Sequence, residues 1–156
     1  MPHIDTTVRM SSPATAVLPR VATVLAGYSQ RNDITLVHRL NVADAAIGVP
    51  ITVEVCTTPR ETPNAVSIRL RAARHTSLFP TFEGRVQSEP AGPLESALRL
   101  IGTYEIPLGL LGEAVDETLL RHAARATLTA FLERLRIDVI DEVRRSELSV
   151  RRSILR

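Results

Sequence analysis

Residues 98 to 135, LRLIGTYEIPLGLLGEAVDETLLRHAARATLTAFLERL, constrain the fold more than any other part of the chain. Alternation puts Leu98, Leu100, Gly102 and Tyr104 on one strand face and Arg99, Thr103 and Glu105 on the other, with Ile101 the exception. Pro107, Gly109 and Gly112 then break the period. From Asp116 the apolar spacing becomes that of a helix, through Leu120, Ala124, Leu128, Phe131, Leu135 and Val139. A half-buried sheet hands over to a helix that can lie across it, and such a layout can enclose a cavity.

The period of two recurs upstream. Ile34, Leu36, His38, Leu40 and Val42 share one face against Thr35, Arg39 and Asn41, with Val37 out of phase. After a turn at Gly48-Val49-Pro50, Ile51, Val53 and Val55 alternate with Thr52, Glu54 and Cys56. Val66, Ile68 and Leu70 then oppose Ser67, Arg69 and Arg71, and Phe82, Gly84 and Val86 oppose Glu83, Arg85 and Gln87. Alternation with a polar second face marks antiparallel strands covered on one side only. Val21 to Gly27 reads as a strand or a short helix, with the strand favoured because Val and Thr recur and Pro19 opposes a longer helix.

Five or six strands followed by one helix of about 28 residues make an α+β layout, a curved antiparallel sheet wrapped around a long C-terminal helix. Asp116 suits the N-cap, Glu113 and Glu117 the positive end of the helix dipole, and Arg144 and Arg145 the negative end. The first half of that helix is built of small residues, Ala123, Ala124, Ala126, Thr127 and Ala130; the second is bulky, with Phe131, Leu132, Leu135 and Val139. The chain divides into a loosely ordered N-terminus over 1–12, one domain over 13–143 and a basic tail over 144–156.

At 156 residues the chain can bury a real core without covalent staples. Cys56 is the only cysteine, which rules out an intramolecular disulfide and fits a reducing compartment, the cytoplasm. No apolar run reaches the roughly 20 residues of a membrane-spanning helix, and Pro19 and Arg20 interrupt the one mildly apolar stretch near the N-terminus. Every basic residue is Arg, so the net charge of +2 persists to high pH and the chain is nearly neutral at pH 7. From Arg144 to Arg156 five Arg stand against the single acid Glu147, a tail that can touch anionic surfaces. The balanced body and the lack of a stacking motif among Tyr28, Phe79, Phe82, Tyr104 and Phe131 argue against a nucleic-acid partner.

The segments LFPTFEGRVQ (78–87) and LRLIGTYEIPLGLLGEAVD (98–116) are similar to a group of uncharacterised actinobacterial proteins. These carry LFP-x-x-x-G and then L-x-x-G-x-Y-x-P-P-L-G-x-L-G before a helix. Together with strands that grip a long C-terminal helix, they resemble the START-like (SRPBCC) helix-grip superfamily of polyketide cyclases, lipid carriers and plant hormone receptors. The resemblance covers roughly the C-terminal half. Ile106 stands where the first of the two prolines usually falls, and the pair of short helices that usually follows the first strand is not evident. The resemblance implies a pocket for an apolar small molecule between sheet and helix; it does not imply a reaction.

Within such a pocket, His38 and Tyr104 are the candidate polar anchors, and Phe82, Leu100 and Phe131 the candidate apolar walls. Glu54 and Glu83 fall on polar strand faces, so no paired-carboxylate site is indicated. His3, His75 and His122 do not recur at metal-ligand spacing with one another or with Cys56. No nucleophile elbow is present, and the Gly109 to Gly112 turn lacks the lysine of a phosphate loop. The leading expectation is a carrier or receptor for a lipid- or polyketide-like molecule that uses no metal or cofactor. A cyclase-type enzyme relying on His38 is one alternative. The other is an interaction domain with a filled core, whose exposed sheet face could form a homodimer.

Overall fold

The structure, a computed structural model, describes residues 2–31, 34–39, 46–56, 65–72, 80–105 and 117–156. Six strands and two helices follow in the order β1 (His3–Met10), α1 (Ala14–Arg31), β2 (Ile34–Arg39), β3 (Ala46–Cys56), β4 (Ala65–Ala72), β5 (Thr81–Gly92), β6 (Glu95–Glu105) and α2 (Glu117–Ile154). All the strands join one antiparallel sheet in the order β1-β6-β5-β4-β3-β2. The expected α+β architecture is present. Helix α2 touches both edge strands, β1 and β2, as well as central β6. One helix can meet both edges only if the sheet curls around it.

The glycine pair on β5 and β6 explains part of that curl. Gly84 lies opposite Gly102, and Gly102 opposite Ile4 on β1. A Cβ at Gly84 would lie 2.6 Å from the Phe82 ring and 2.7 Å from the Gly102 Cα, and would press on the Ile101 carbonyl. Two strands can approach this closely only where neither has a side chain, which is where sheets bend sharply.

The N-terminal region departs from the sequence-based expectation in two places. Most of the segment expected to be loosely ordered is a strand: β1 pairs with β6 from His3 opposite Thr103 to Met10 opposite Ser96, and the Tyr104 N–H donates to the Pro2 carbonyl at 3.1 Å. Ile4, Val8 and Met10 are buried against the core and Thr6 between them is partly so. An alternating strand was therefore present, with Thr6 masking it.

Val21 to Gly27 is not a strand but the middle of α1, an 18-residue helix that follows β1. Val17, Val21, Leu25 and Tyr28 recur at helical spacing and all are buried. Pro19 sits inside the helix on its exposed side. An interior proline costs about 3 kcal/mol, whereas burying four large side chains contributes roughly 2 kcal/mol each, so the packed stripe prevails. The carbonyl of Pro19 accepts from Thr23 Oγ1 at 3.1 Å.

Gly48-Val49-Pro50, read from sequence as a turn, belongs to β3, with Pro50 opposite Thr35 of β2. Pairing of β3 with β4 begins only at Ile51, so among the described residues Pro50 borders one strand and its missing N–H interrupts no ladder on the other side.

Helix α2 runs for 38 residues, about 57 Å at 1.5 Å per residue. Its buried stripe is Ala124, Thr127, Leu128, Phe131, Leu132, Leu135, Val139 and Val143. The segment 144–156 is thus not a separate tail: the helix continues through Ile154, beyond the last buried residue. Alanine-free as it is, this segment is held helical by cooperative extension of a helix already nucleated on the core. The Asp116 cap, the 106–112 turn, Leu78, Phe79 and His75 lie outside the described residues.

On the outer sheet face, Arg99 of β6 ties three strands together. It donates to Asp5 of β1 from Nε (2.7 Å) and Nη2 (2.5 Å), and its Nη1 reaches Glu89 of β5 at 3.3 Å. The Arg99 guanidinium holds the Asp5 carboxyl below the usual carboxylate range. Arg69 similarly meets Glu83, directly opposite it, at 2.6 Å. These exposed pairs fix register more than they add stability.

Candidate ligand-binding site

The inward faces of β5 and β6 form a set of cross-strand rows: Phe82 with Tyr104, Gly84 with Gly102, Val86 with Leu100, and Ser88 with Leu98. Phe82, Leu100 and Phe131 are fully buried and Tyr104 is 2% exposed, all within one apolar cluster under α2. The structure therefore brings four of the five sequence-derived candidates into one buried cluster. The Phe82 ring lies along the Gly84–Gly102 floor, with its edge atoms near the positions their Cβ atoms would take.

His38 is placed elsewhere. It sits on β2 opposite Ile47, and its side chain lies outside the described residues. The Tyr104 row continues through Phe82 and Leu70 to Val53 of β3. Ile47 precedes Val53 by six residues on that strand, about 20 Å at strand rise. His38 and Tyr104 thus occupy different cross-strand rows of the sheet.

Two hydroxyls are buried on the inward face at the other end of the β5–β6 hairpin. Ser88 and Ser96 have no hydrogen-bond partner among the described residues. Such a group costs about 1–3 kcal/mol when nothing meets it.

The polar network the sequence did not reveal lies between the helices. Helix α1 runs antiparallel to α2. Its first turns, with Thr15, Ala16 and Pro19, border Val143 to Arg151, and its last turns border Arg134 to Arg145. A cleft of about 610 Å³ opens along the second contact, lined by Tyr28, Arg134, Asp138, Asp141, Glu142 and Arg145 among others. The Tyr28 hydroxyl donates to Asp138 Oδ2, which also accepts from Arg134 Nε at 3.0 Å. The Tyr28 ring meets Phe131 edge-on, with centroids 6.5 Å apart. Only the Arg134–Asp138 spacing of four was visible in the sequence; Tyr28 is 110 residues from its partner.

Burial, followed by the hydrogen bond to the Asp138 carboxylate, pushes the Tyr28 hydroxyl well above the ordinary phenol range. An acid whose folded pKa is raised binds its proton more tightly in the native state. Its contribution is complete below the unfolded value near 10 and is lost as pH rises above it. Denaturation of the wild-type chain is expected to steepen with pH above about 10, and Tyr28→Phe to flatten that dependence. Asp138→Ala is expected to cost about 1–3 kcal/mol by stranding the Tyr28 hydroxyl, and less in a Tyr28→Phe background. Equal costs in both backgrounds would contradict the network. Urea melts at pH 7 and at alkaline pH measure both effects.

Among the described residues, no three His, Cys, Asp or Glu side chains gather as a metal-binding set, and no helix is long and apolar enough to cross a membrane.

No protein-family model matches the sequence, and no curated protein matches it either. Solved structures do match in three dimensions. The chain is similar to Ara h 8.0201 at 6% identity over 91% of this chain and 97% of that one, with a TM-score of 0.53. It is similar to TTHA0849 from Thermus thermophilus at 15% identity over 90% of this chain and 99% of that one, with a TM-score of 0.52. The di-domain ARO/CYC BexL from the BE-7585A biosynthetic pathway matches at 12% identity and a TM-score of 0.50, over 90% of this chain and 49% of that one. Identities this low speak for fold alone. With both sheet edges closing on one long helix, the chain shares the fold of these solved structures, a curved antiparallel sheet around a long C-terminal helix.

Proposed function

We propose that this chain binds an apolar or amphipathic small molecule, lipid- or polyketide-like, between the sheet and α2, without a cofactor. Phe82, Leu100, Tyr104 and Phe131 form the wall, with the Tyr104 hydroxyl as polar anchor and His38 a second anchor further along the sheet. The observation that carries the reading is the change in side-chain size along the buried stripe of α2. Among the described residues it opens with Ala124 and Thr127 and is bulky from Leu128 onward. Helix α1 borders α2 from Phe131 to Arg151, and the small residues Ala124 and Thr127 precede that stretch. The lone Cys56 makes a reducing compartment, the cytoplasm, the natural setting.

A filled-core interaction domain is the second reading, favoured by the complete burial of Phe82, Leu100 and Phe131. Ala124→Phe separates the two. If a guest normally occupies the space below Ala124, the new ring takes its place: stability stays within about 1 kcal/mol of wild type and binding of the fluorescent probe anilinonaphthalene sulfonate is lost. If the core is filled, the ring overpacks it at a cost of about 1–3 kcal/mol and the wild-type chain shows no saturable probe binding. A urea melt and a probe titration on the same two proteins decide between them.

A further inference from the structure

The last turns of α2 carry an arrangement that packing against the core does not explain. Beyond Val143, Leu148, Val150, Ile154 and Leu155 are 57%, 59%, 77% and 86% exposed; Val150 and Ile154 continue the side of the helix that carries Val143, and Leu148 and Leu155 face away from it. Leu148 lies within the helix, and Leu155 directly follows it, with its N–H still donating to the Arg151 carbonyl at 3.3 Å. At about 100° per residue, Leu148 and Leu155, seven apart, fall on one line along the helix. The same rotation places Arg144 and Arg151 along one side of that line and Arg145, Arg152 and Arg156 along the other. The line faces away from the buried stripe that contains Leu128, Leu135 and Val139. Among the described residues no ion pair engages Arg144, Arg151, Arg152 or Arg156, and Arg145 has only a long one, 3.8 Å to Glu142.

An exposed leucine line between two arginine rails is the pattern of a helix that lies in a membrane interface, its apolar residues among the acyl chains and its guanidiniums level with the phosphates. A second copy of this chain fits poorly, because pairing along the leucines, parallel or antiparallel, would set one arginine rail against another. A nucleic acid would engage the arginines and leave both leucines in water.

We propose that the C-terminal overhang of α2 docks on an anionic lipid surface, with Leu148 and Leu155 inserted and the flanking arginines on the headgroup phosphates. This docking does not depend on the ligand reading of the core. Each arginine near an anionic surface contributes roughly five-fold in partitioning, and the contribution weakens with salt.

Co-sedimentation of the full chain with vesicles tests it. Vesicles of phosphatidylcholine with about 30% phosphatidylserine, which carry the negative surface potential that attracts basic segments, are compared with pure phosphatidylcholine and with a DNA duplex of matched charge. The expected result is binding to the phosphatidylserine vesicles alone, weakened at least about 100-fold when Arg144, Arg145, Arg151 and Arg152 are all changed to Ser, and also lost in Leu148→Ser/Leu155→Ser. These positions lie beyond the packed core, so an unchanged melting curve checks that each variant folds. Absence of vesicle binding, binding that ignores the leucines, or preference for the duplex would each overturn the proposal.

Discussion

Gly102→Val is expected to cost about 3 kcal/mol or more, enough to leave much of the protein unfolded in a chain of ordinary stability. The Cβ it adds would lie 2.7 Å from both the Gly84 Cα and Phe82 Cε2, and would press on the Glu83 carbonyl. Two of those three atoms belong to backbone and cannot rotate away, so Phe82→Ala should not rescue the variant. Relief would require β5 and β6 to separate at the point where the sheet curls, and the grip on α2 would loosen with them. Gly92→Ala is the control: on the same hairpin, the nearest atom to its new Cβ is the Glu95 side chain at 3.7 Å, an ordinary contact. It should change stability by less than about 0.5 kcal/mol. Urea midpoints for the two variants measure the contrast, and comparable stabilities would contradict the account of the curl.

Phe131→Ala is the second large effect, at about 3–5 kcal/mol. The ring is fully buried, it meets Tyr28 edge-on, and it stands on α2 between the buried Leu128 and Leu135. Its loss removes both the apolar transfer energy and the packing that holds α1 against α2. Phe131→Leu, which keeps most of the volume, should cost less than about 1.5 kcal/mol. In urea melts of the two variants, a loss under about 1 kcal/mol for the alanine change would mean that the helices are held together elsewhere.

The strands and α2 were legible because their apolar residues recur without interruption on one face. The inward facing of Phe82, Leu100 and Tyr104 followed from the same alternation, and each is buried. Reading failed where one residue contradicted its neighbours. Thr6 broke the inward set of β1, and Pro19, with the valines and threonines around it, obscured the Val17, Val21, Leu25, Tyr28 stripe of α1. In both cases tertiary burial outweighed local preference. The end of α2 was misread for the opposite reason: its apolar stripe stops at Val143, yet the helix persists because extension is cooperative. The Tyr28–Asp138–Arg134 network needed α1 and α2 side by side, which no periodicity conveys.

Native mass spectrometry of the protein purified from its own host, followed by organic extraction of any bound molecule, tests the ligand reading most directly. The account predicts a stoichiometric apolar or amphipathic guest that is absent from the Ala124→Phe variant. A wild-type chain that flies at its sequence mass, yields no extract and gains no mass on incubation with fatty acids would contradict it and favour the filled-core reading.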